Sequence, residues 1–343
     1  MLRLSDHHLV HRPLVALVGP TAVGKTEIGV ILAQTLGTEV LAADSRQVYR
    51  GMDVATDKPT AEQRQGVPHR LIDLVEPDQR FNAGMYRAAA LREIERLYGE
   101  RRLPFIVGGT GLYVRALVKG LCDAPPSDPA LRAELLDQAG RREKGYLHGE
   151  LAKVDPELAR LLHPHDEVKI IRALEVQRLS GRSLSDVHRE HQTAAPCCSP
   201  LIIGLMRDRQ ALYKRIEQRV DTFFMNGLVQ ETAGLLARGY DRGLASMKGL
   251  GYRQVAEFLA GGYDYMEAVR RLKRDTRHFA KRQLTWFRHE PAIVWVTVDD
   301  PQRSASVADT LLGLIESFLA ELRGRPAPAA IAARIETRKV TAG

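Results

Sequence analysis

Short apolar runs alternate with amphipathic stretches along the first third of the chain. Pro13–Val18, Thr38–Ala43 and Pro104–Val107 are continuous apolar segments typical of buried strands, and His69–Val75 is a further strand candidate. Phe81–Tyr98 has apolar residues at helical spacing, with arginine and glutamate residues on its other side. Strands that alternate with helices predict an α/β fold with a doubly wound parallel sheet.

The pattern changes at about residue 124, because only helical patterns occur from there to residue 190. An apolar strand pattern returns at Leu201–Met206, and helical patterns then continue to Leu322, with one more strand candidate at Ala292–Val298. We therefore predict an all-helical domain inserted into the α/β core. The predicted boundaries are an N-terminal arm at 1–12, a core at 13–123 and 201–322, the insertion at 124–200, and a disordered tail at 323–343.

The first predicted strand runs into the sequence Gly-Pro-Thr-Ala-Val-Gly-Lys-Thr, which precedes a helical pattern that ends at Gly37. The motif G-x-x-x-x-G-K-T between a strand and a helix is typical of a phosphate-binding loop, or P-loop. Backbone N–H groups and the helix N-terminus attract phosphate oxygens there. Lys25 adds a full positive charge, and the Thr26 hydroxyl can hold Mg²⁺. The predicted phosphate contacts are Gly19, Pro20, Thr21, Ala22, Val23, Gly24, Lys25 and Thr26.

The chain has a formal net charge of +8, with a basic helical pattern at Tyr265–His289. This C-terminal part has one mostly apolar face, and its charged remainder faces either solvent or a polyanion such as nucleic acid. The apolar runs are far shorter than the roughly 18 residues of a membrane span. The three cysteines lack disulfide or zinc spacing, so we expect a cytoplasmic protein. We interpret His7, His8 and His11 as part of a disordered arm rather than a metal site.

Two further polar segments follow predicted strands. Asp44 follows the second strand, and Gly108-Gly109-Thr110 follows the strand at Pro104–Val107. The carboxyl ends of parallel strands meet at one edge of a sheet, so we expect both segments beside the P-loop. Many NTPases place a magnesium-binding aspartate after a downstream strand, but that strand here ends in glycines. Spacing alone leaves a kinase, a nucleotide-driven switch or ATPase, and a transferase that holds the diphosphate of an alkyl donor.

A series of short motifs decides between these possibilities. Besides the P-loop, the motifs are Asp-Ser-Arg-Gln-Val-Tyr (44–49), Met52-Asp53 with Thr56 and Lys58-Pro59, Pro-His-Arg-Leu-Ile-Asp (68–73), Val-Gly-Gly-Thr-Gly-Leu-Tyr (107–113), Arg-Ala-Leu-Glu-Val (172–176), Arg215 with Ile216 and Arg219, Gly-Tyr-Arg-Gln (251–254) and Ala-Lys-Arg-Gln-Leu-Thr-Trp-Phe-Arg (280–288). With these motifs, the chain closely resembles the bacterial-type tRNA dimethylallyltransferases (tRNA isopentenyltransferases) over roughly residues 13–322. Val23 stands where serine is common in that family, and the zinc finger of eukaryotic relatives has no counterpart here.

The resemblance implies transfer of a dimethylallyl group from dimethylallyl diphosphate to the exocyclic N6 of an adenosine. That adenosine lies immediately 3′ of the anticodon in tRNAs that read codons beginning with U. Asp44 would be the general base, since N6 is a poor nucleophile until its proton begins to leave. Lys25, Mg²⁺ and Arg219, which we favour over Arg215, would stabilise the leaving diphosphate. Thr110 would bind the diphosphate or the reacting end of the donor, or would simply cap a helix.

The resemblance also implies that three stretches contact tRNA, whose target base lies in a single-stranded loop. Ile170 and Ile171 could instead pack the core of the insertion, and Lys273, Arg277 and Lys281 are added from charge alone. A monomer is the family expectation, and an AMP-modifying dimethylallyltransferase of the cytokinin type is the nearest alternative. The predicted tRNA contacts are Asp44, Ser45, Arg46, Gln47, Arg132, Val168, Lys169, Ile170, Ile171, Arg172, Lys248, Gly249, Leu250, Gly251, Tyr252, Arg253, Lys273, Arg277 and Lys281.

Overall fold

The computed structural model describes residues 2–192, 198–290, 292–298 and 304–324. The chain divides into two compact units, residues 1–119 with 197–343, and residues 120–196. The second unit corresponds to the predicted insertion, and both of its ends lie slightly earlier than the sequence indicated. Most of the tail predicted to be disordered lies outside the described residues, but Arg323 still belongs to the last helix.

The first unit is built around a parallel β-sheet. Its strands are β1 Pro13–Val18, β2 Val40–Ala43, β3 His69–Arg70, β4 Phe105–Gly108, β5 Ser199–Met206 and β6 Ile293–Thr297. Within the described residues, they form a six-stranded sheet in the order β3-β2-β4-β1-β5-β6, and every pairing is parallel. The chain leaves β1 toward β2 but leaves its neighbour β5 toward β6, which creates the switch point where such sheets bind ligands. The predicted doubly wound α/β fold is confirmed.

The register of the sheet aligns the ends of three strands. Gly108 at the end of β4 pairs with Ala43 of β2 on one side and with Val18 of β1 on the other. A Cβ atom at Gly108 would overlap the Ala43 carbonyl group, so glycine permits this close approach. The loops that follow β1, β2 and β4 therefore leave the sheet side by side.

Helices surround the sheet, and they are the regular elements of the second unit in its described residues. Those of the first unit are α1 Asp6–His11, α2 Lys25–Leu36, α3 Ala61–Arg64, α4 Ala83–Gly99, α5 Gly111–Val118, α11 Arg209–Met225, α12 Leu228–Ala237, α13 Tyr252–Leu259, α14 Tyr265–Arg288 and α15 Ser304–Arg323. Those of the insertion are α6 Pro129–Arg141, α7 Tyr146–Val154, α8 Pro156–Leu161, α9 Glu167–Ser180 and α10 Leu184–Gln192.

The N-terminal arm is ordered, so the prediction of a disordered arm is wrong. Ser5 caps α1 by accepting a hydrogen bond from the His8 backbone N–H. Leu4 and His8 are buried, and a His8 ring nitrogen lies 3.2 Å from the Leu319 carbonyl oxygen of α15. The buried residues of the arm are Leu4, His8 and His11, and two buried histidines in so short a helix give no apolar pattern that the sequence could reveal.

The strand predicted at His69–Val75 is also wrong beyond its first two residues. Leu71 and Asp73 have φ angles of 66° and 54°, which are incompatible with an extended chain. The segment turns there. Val75 then forms an isolated parallel bridge with Tyr49.

The loop after β2 is anchored by a second hydrophobic core and a buried lysine. Tyr49 and Met52 are buried among residues of α11, α12, α13 and α14. The Lys58 ammonium donates hydrogen bonds to the carboxylates of Asp53 at 2.6 Å and Asp73 at 2.5 Å. The chain from Asp44 onward is therefore held in place although it lacks regular secondary structure.

The insertion has its own hydrophobic core. Ile170 and Ile171 of α9 lie in it, with 0% and 3% of their surface exposed. Two of its helices begin at a proline, α6 after Asp128 and α8 after Asp155, and each aspartate caps its helix through backbone N–H groups. This unit follows the sequence pattern closely because its helices carry strong local start signals.

Replacing Ile170 with alanine should lower the free energy of unfolding by about 2–5 kcal/mol, because it leaves a cavity in a closed core. Val168, two residues earlier, is 74% exposed, and Val168→Ala should change stability by less than about 0.5 kcal/mol. Denaturant unfolding followed by circular dichroism measures both. Equal effects of the two substitutions would contradict the assigned packing.

Candidate active site

The P-loop connects β1 to α2 and has the backbone of a phosphate cradle. Gly19, Ala22 and Gly24 have φ angles of 147°, 64° and 114°, which turn successive N–H groups inward. A Cβ atom at Gly19 would lie 2.6 Å from the Leu205 carbonyl oxygen of β5, so this position requires glycine. Gly24 precedes the first turn of α2 without a side-chain cap, which leaves N–H groups free for an anion.

Lys25 is held inside the loop. Its Nζ donates hydrogen bonds to the carbonyl oxygens of Gly19 at 3.0 Å and Pro20 at 2.7 Å. Burial lowers the pKa of Lys25 to about 7, and the positive charge of Arg219 acts in the same direction. An anionic ligand in the loop would therefore stabilise the charged form of Lys25.

Two arginines of α11 reach the loop and have different roles. The Arg215 Nε donates to the Ala22 carbonyl oxygen at 3.0 Å, so Arg215 supports the loop backbone. The Arg219 guanidinium donates to the Thr21 hydroxyl at 2.8 Å and forms an ion pair with Asp57 at 2.7 Å. Arg219 thus contacts a side chain of the loop, and its role toward a diphosphate stays a prediction.

Asp44 and Thr110 follow the neighbouring strands β2 and β4. The Asp44 Oδ1 accepts hydrogen bonds from the backbone N–H groups of Arg46 at 2.8 Å and Gln47 at 3.4 Å. The Thr110 hydroxyl accepts one from the Ser45 N–H at 3.0 Å. Thr110 is the N-cap residue of α5, as the alternative interpretation expected, but its hydroxyl makes no capping hydrogen bond to the helix. The structure brings both residues beside the P-loop.

Gln283 is a site residue that the sequence interpretation missed. Its Oε1 accepts from the Thr21 N–H at 2.8 Å, and its Nε2 donates to the Gly109 carbonyl oxygen at 2.9 Å. A Cβ atom at Gly109 would overlap this amide, which explains the second glycine of the motif after β4. The available signal was a glutamine on the otherwise apolar face of the helical pattern of α14.

The cations of α14 are only partly free for a nucleic acid. Lys273 pairs with Asp221 at 2.7 Å and Arg277 with Glu217 at 2.7 Å, both on α11. Lys281 instead borders an open groove of about 670 Å³. The groove is lined by Arg115, His278, Lys281, Arg282, Thr285, Trp286 and His289.

The predicted contact stretch at 248–253 lies next to the loop after β2. Arg46 donates to the Ala245 carbonyl oxygen at 2.8 Å, which joins the two segments. Lys248 is exposed, and Arg253 pairs with Asp275 at 3.0 Å. Tyr252 is 1% exposed, so its side chain packs in the second core rather than facing a ligand.

In the insertion, Val168 and Lys169 are exposed, whereas Ile170 and Ile171 have the packing role left open for them in the sequence. Arg132 and Arg172 are engaged internally. Arg132 forms a 2.8 Å ion pair with the fully buried Glu175, and Arg172 donates to the Pro125 carbonyl oxygen at 2.7 Å. Contacts of this unit with tRNA remain a prediction.

Comparison with known proteins identifies the family. The family model described as IPP transferase matches residues 47–290. The chain belongs to the IPP transferase family. A tRNA dimethylallyltransferase of Geotalea uraniireducens is 46% identical over 299 residues, which cover 87% of this chain and 96% of that protein. One from Desulforudis audaxviator is 46% identical over 304 residues, covering 89% and 98%.

Solved structures of the IPP transferase family have the same fold. The tRNA isopentenylpyrophosphate transferase of Bacillus halodurans is 38% identical, with a TM-score of 0.67 and coverage of 92% of this chain and 100% of that chain. A eukaryotic dimethylallyltransferase solved while acting on tRNA has a TM-score of 0.78 at 23% identity, covering 94% and 83%. This last likeness concerns the fold alone. The resemblance inferred from the motifs is confirmed.

In the described ranges, no three His, Cys, Asp or Glu side chains are grouped so that they could hold a metal ion. None of the helices in the same ranges combines the length and apolar character needed to cross a membrane.

The affinity of the P-loop for diphosphate should fall as the pH rises above about 7, where free Lys25 loses its proton. Bound diphosphate favours the charged form of Lys25, so diphosphate binding should take up a proton above that pH. Titration calorimetry of pyrophosphate in buffers of different ionisation enthalpy measures the uptake. A Lys25→Arg variant, which keeps its charge, is the control. Equal proton uptake by both proteins would show that the proton binds elsewhere.

Replacing Gln283 with leucine should raise the KM for the diphosphate donor by roughly 10-fold, because it leaves the Thr21 N–H and the Gly109 carbonyl without partners. Gln283→Glu retains the acceptor for Thr21 and should have a smaller effect on KM. Steady-state kinetics with varied donor measures both, and thermal unfolding checks the fold. A normal donor KM in a folded leucine variant would exclude a positioning role for Gln283.

Proposed function

We propose that this IPP transferase transfers a dimethylallyl group from dimethylallyl diphosphate to N6 of the adenosine immediately 3′ of the anticodon. Its substrates are tRNAs that read codons beginning with U. The observation that carries the proposal is the convergence of a carboxylate, Asp44, with a P-loop whose cations are Lys25 and Arg219. This arrangement pairs a base for a weak nucleophile with a site for a diphosphate leaving group.

The P-loop and α11 serve the leaving group. Inward backbone N–H groups and Lys25 bind the diphosphate, and Arg219 approaches from the other side through its contact with Thr21. These donors are fixed before reaction, so they stabilise the charge that develops as the C–O bond breaks without reorganising. The Thr110 hydroxyl, which follows the neighbouring strand β4 and accepts a hydrogen bond from the Ser45 N–H, is proposed to contact the donor's reacting end.

Asp44 serves the nucleophile. As the N6–C bond forms and the C–O bond of the donor breaks, one N6 proton passes to the Asp44 carboxylate and diphosphate departs. The hydrogen bonds from backbone N–H groups to Oδ1 fix the Asp44 carboxylate, and Oδ2 is left to accept the proton. General-base catalysis of this kind contributes roughly 10²–10⁴ in rate.

The donor set also fits Mg²⁺. This ion is held in proteins by one or two oxygen ligands together with substrate phosphates and water, and the Thr26 hydroxyl in the first turn of α2 is such a ligand. Mg²⁺ bound there would neutralise negative charge on the leaving diphosphate.

The tRNA is proposed to be bound by exposed cations of both units. Lys248 and Lys281 border the first unit's candidate surfaces, and Lys169 is exposed on the insertion. Such contacts position the backbone of the anticodon arm without reading its sequence. We further propose a cytoplasmic enzyme, because its cysteines lack disulfide spacing, and a monomer, which is the family expectation.

Asp44→Asn should reduce the turnover number by about 10²–10⁴ while tRNA affinity and melting temperature stay unchanged. Asparagine keeps an oxygen for the Arg46 N–H but is not a base. The assay incubates tRNA with dimethylallyl diphosphate and Mg²⁺ and measures the mass increase of the target nucleoside.

Three outcomes of this assay would contradict the proposal. Normal turnover in the asparagine variant would remove Asp44 as the base. Preference of the wild-type enzyme for AMP over an anticodon stem-loop would indicate the cytokinin-type reaction. Phosphate transfer from ATP without alkylation would indicate a kinase.

A further inference from the structure

Asp57 is an acidic residue that contacts the candidate site and that the proposed reaction does not use. Its Oδ2 lies 2.7 Å from a terminal nitrogen of Arg219. The backbone at Asp57 is left-handed, with φ of 51°, a conformation that aspartate and asparagine tolerate better than most residues. Its N–H donates to the Val54 carbonyl oxygen at 3.1 Å, and its own carbonyl accepts from the Gln47 side chain at 3.1 Å. The turn therefore presents the carboxylate to Arg219.

The Arg219 guanidinium is not fully satisfied by these contacts. Its terminal nitrogens reach Thr21 and Asp57, but its Nε is buried and has no hydrogen-bond partner among the described residues. A buried charged donor without an acceptor is unfavourable. Diphosphate oxygens beside the P-loop would supply acceptors that one carboxylate on one side does not.

Charges of both signs surround the P-loop. Lys25, Arg215 and Arg219 are the cations, and the carboxylates of Asp44 and Asp57 lie close enough to Lys25 to favour its charged form. A diphosphate adds at least two negative charges to this cluster. Asp44 is retained as the base, so the remaining negative charge that opposes the ligand is that of Asp57.

The Asp57 carboxylate can separate from Arg219. Its side chain is 40% exposed and that of Arg219 is 24% exposed, and ion pairs open to solvent are weak. A rotation of the Asp57 side chain into water would free one edge of the guanidinium without moving the turn. Arginine binds phosphate through two parallel N–H donors when such an edge is free.

We propose that Asp57 is a counter-ion that pairs with Arg219 before the donor binds and is displaced from it by the donor's diphosphate. The inference rests on the proposed function, since it assumes a diphosphate ligand. In the same way, Asp57 recaptures Arg219 as the product diphosphate leaves. The residue lowers diphosphate affinity and favours product release.

The test measures pyrophosphate binding by calorimetry. Asp57→Asn keeps the size and suits the left-handed backbone but removes the charge, and we expect pyrophosphate to bind roughly 3- to 10-fold more tightly. Product inhibition by pyrophosphate should strengthen by a similar factor. The control is Asp221→Asn on α11, which removes the same charge from the residue that pairs with Lys273 of α14. This substitution should change the pyrophosphate affinity less than about twofold.

A double-mutant cycle shows whether the effect passes through Arg219. In an Arg219→Gln background, Asp57→Asn should no longer strengthen pyrophosphate binding. Unchanged or weaker binding in the single Asp57→Asn variant, or an undiminished gain in the Arg219→Gln background, would overturn the proposal. Failure of the wild-type protein to bind pyrophosphate would instead overturn the proposed function, so the two failures are distinguishable.

Discussion

The candidate active site depends on a lysine side chain that is buried inside the P-loop. Burial disfavours the charged form of Lys25, and the nearby Arg219 disfavours it further. Carbonyl oxygens of Gly19 and Pro20 and two carboxylates counteract this penalty only because strands β1, β2 and β4 end at the same level. The parallel sheet is thus the means by which opposite charges from distant parts of the chain are held together.

Helix α14 completes this arrangement from the far end of the chain. Through Gln283 it occupies one N–H of the P-loop and one carbonyl of the segment after β4. One turn later, Trp286 lies so close to Gly111 that a Cβ there would overlap the indole. The same helix borders the basic groove with Lys281 and Arg282. A single rigid element therefore contacts both the phosphate-binding backbone and the surface proposed for RNA.

Local signals in the sequence were sufficient for most of the fold. The strand Pro13–Val18 has the predicted bounds, and α14 begins at the predicted Tyr265 and ends one residue before the predicted His289, because an apolar run or amphipathic period is sharply terminated there. Positive φ angles at Leu71 and Asp73 were not predictable, since neither residue is glycine. The roles of Gln283 and Asp57 depend on partners more than a hundred residues away, which no spacing rule reveals. Sequence could name the chemistry but not the residues that hold it in place.

The close approach of β2 and β4 has a consequence for the evolution of this chemistry. The Thr110 N–H bonds to the Ala43 carbonyl oxygen at 3.0 Å, so main-chain atoms fix the residues that follow each strand relative to each other. Side chains farther from the reacting groups can change without altering that spacing. A change of alkyl donor would therefore require different side chains around the donor, while the hydrogen-bonded backbone keeps the segments after β2 and β4 at the same spacing.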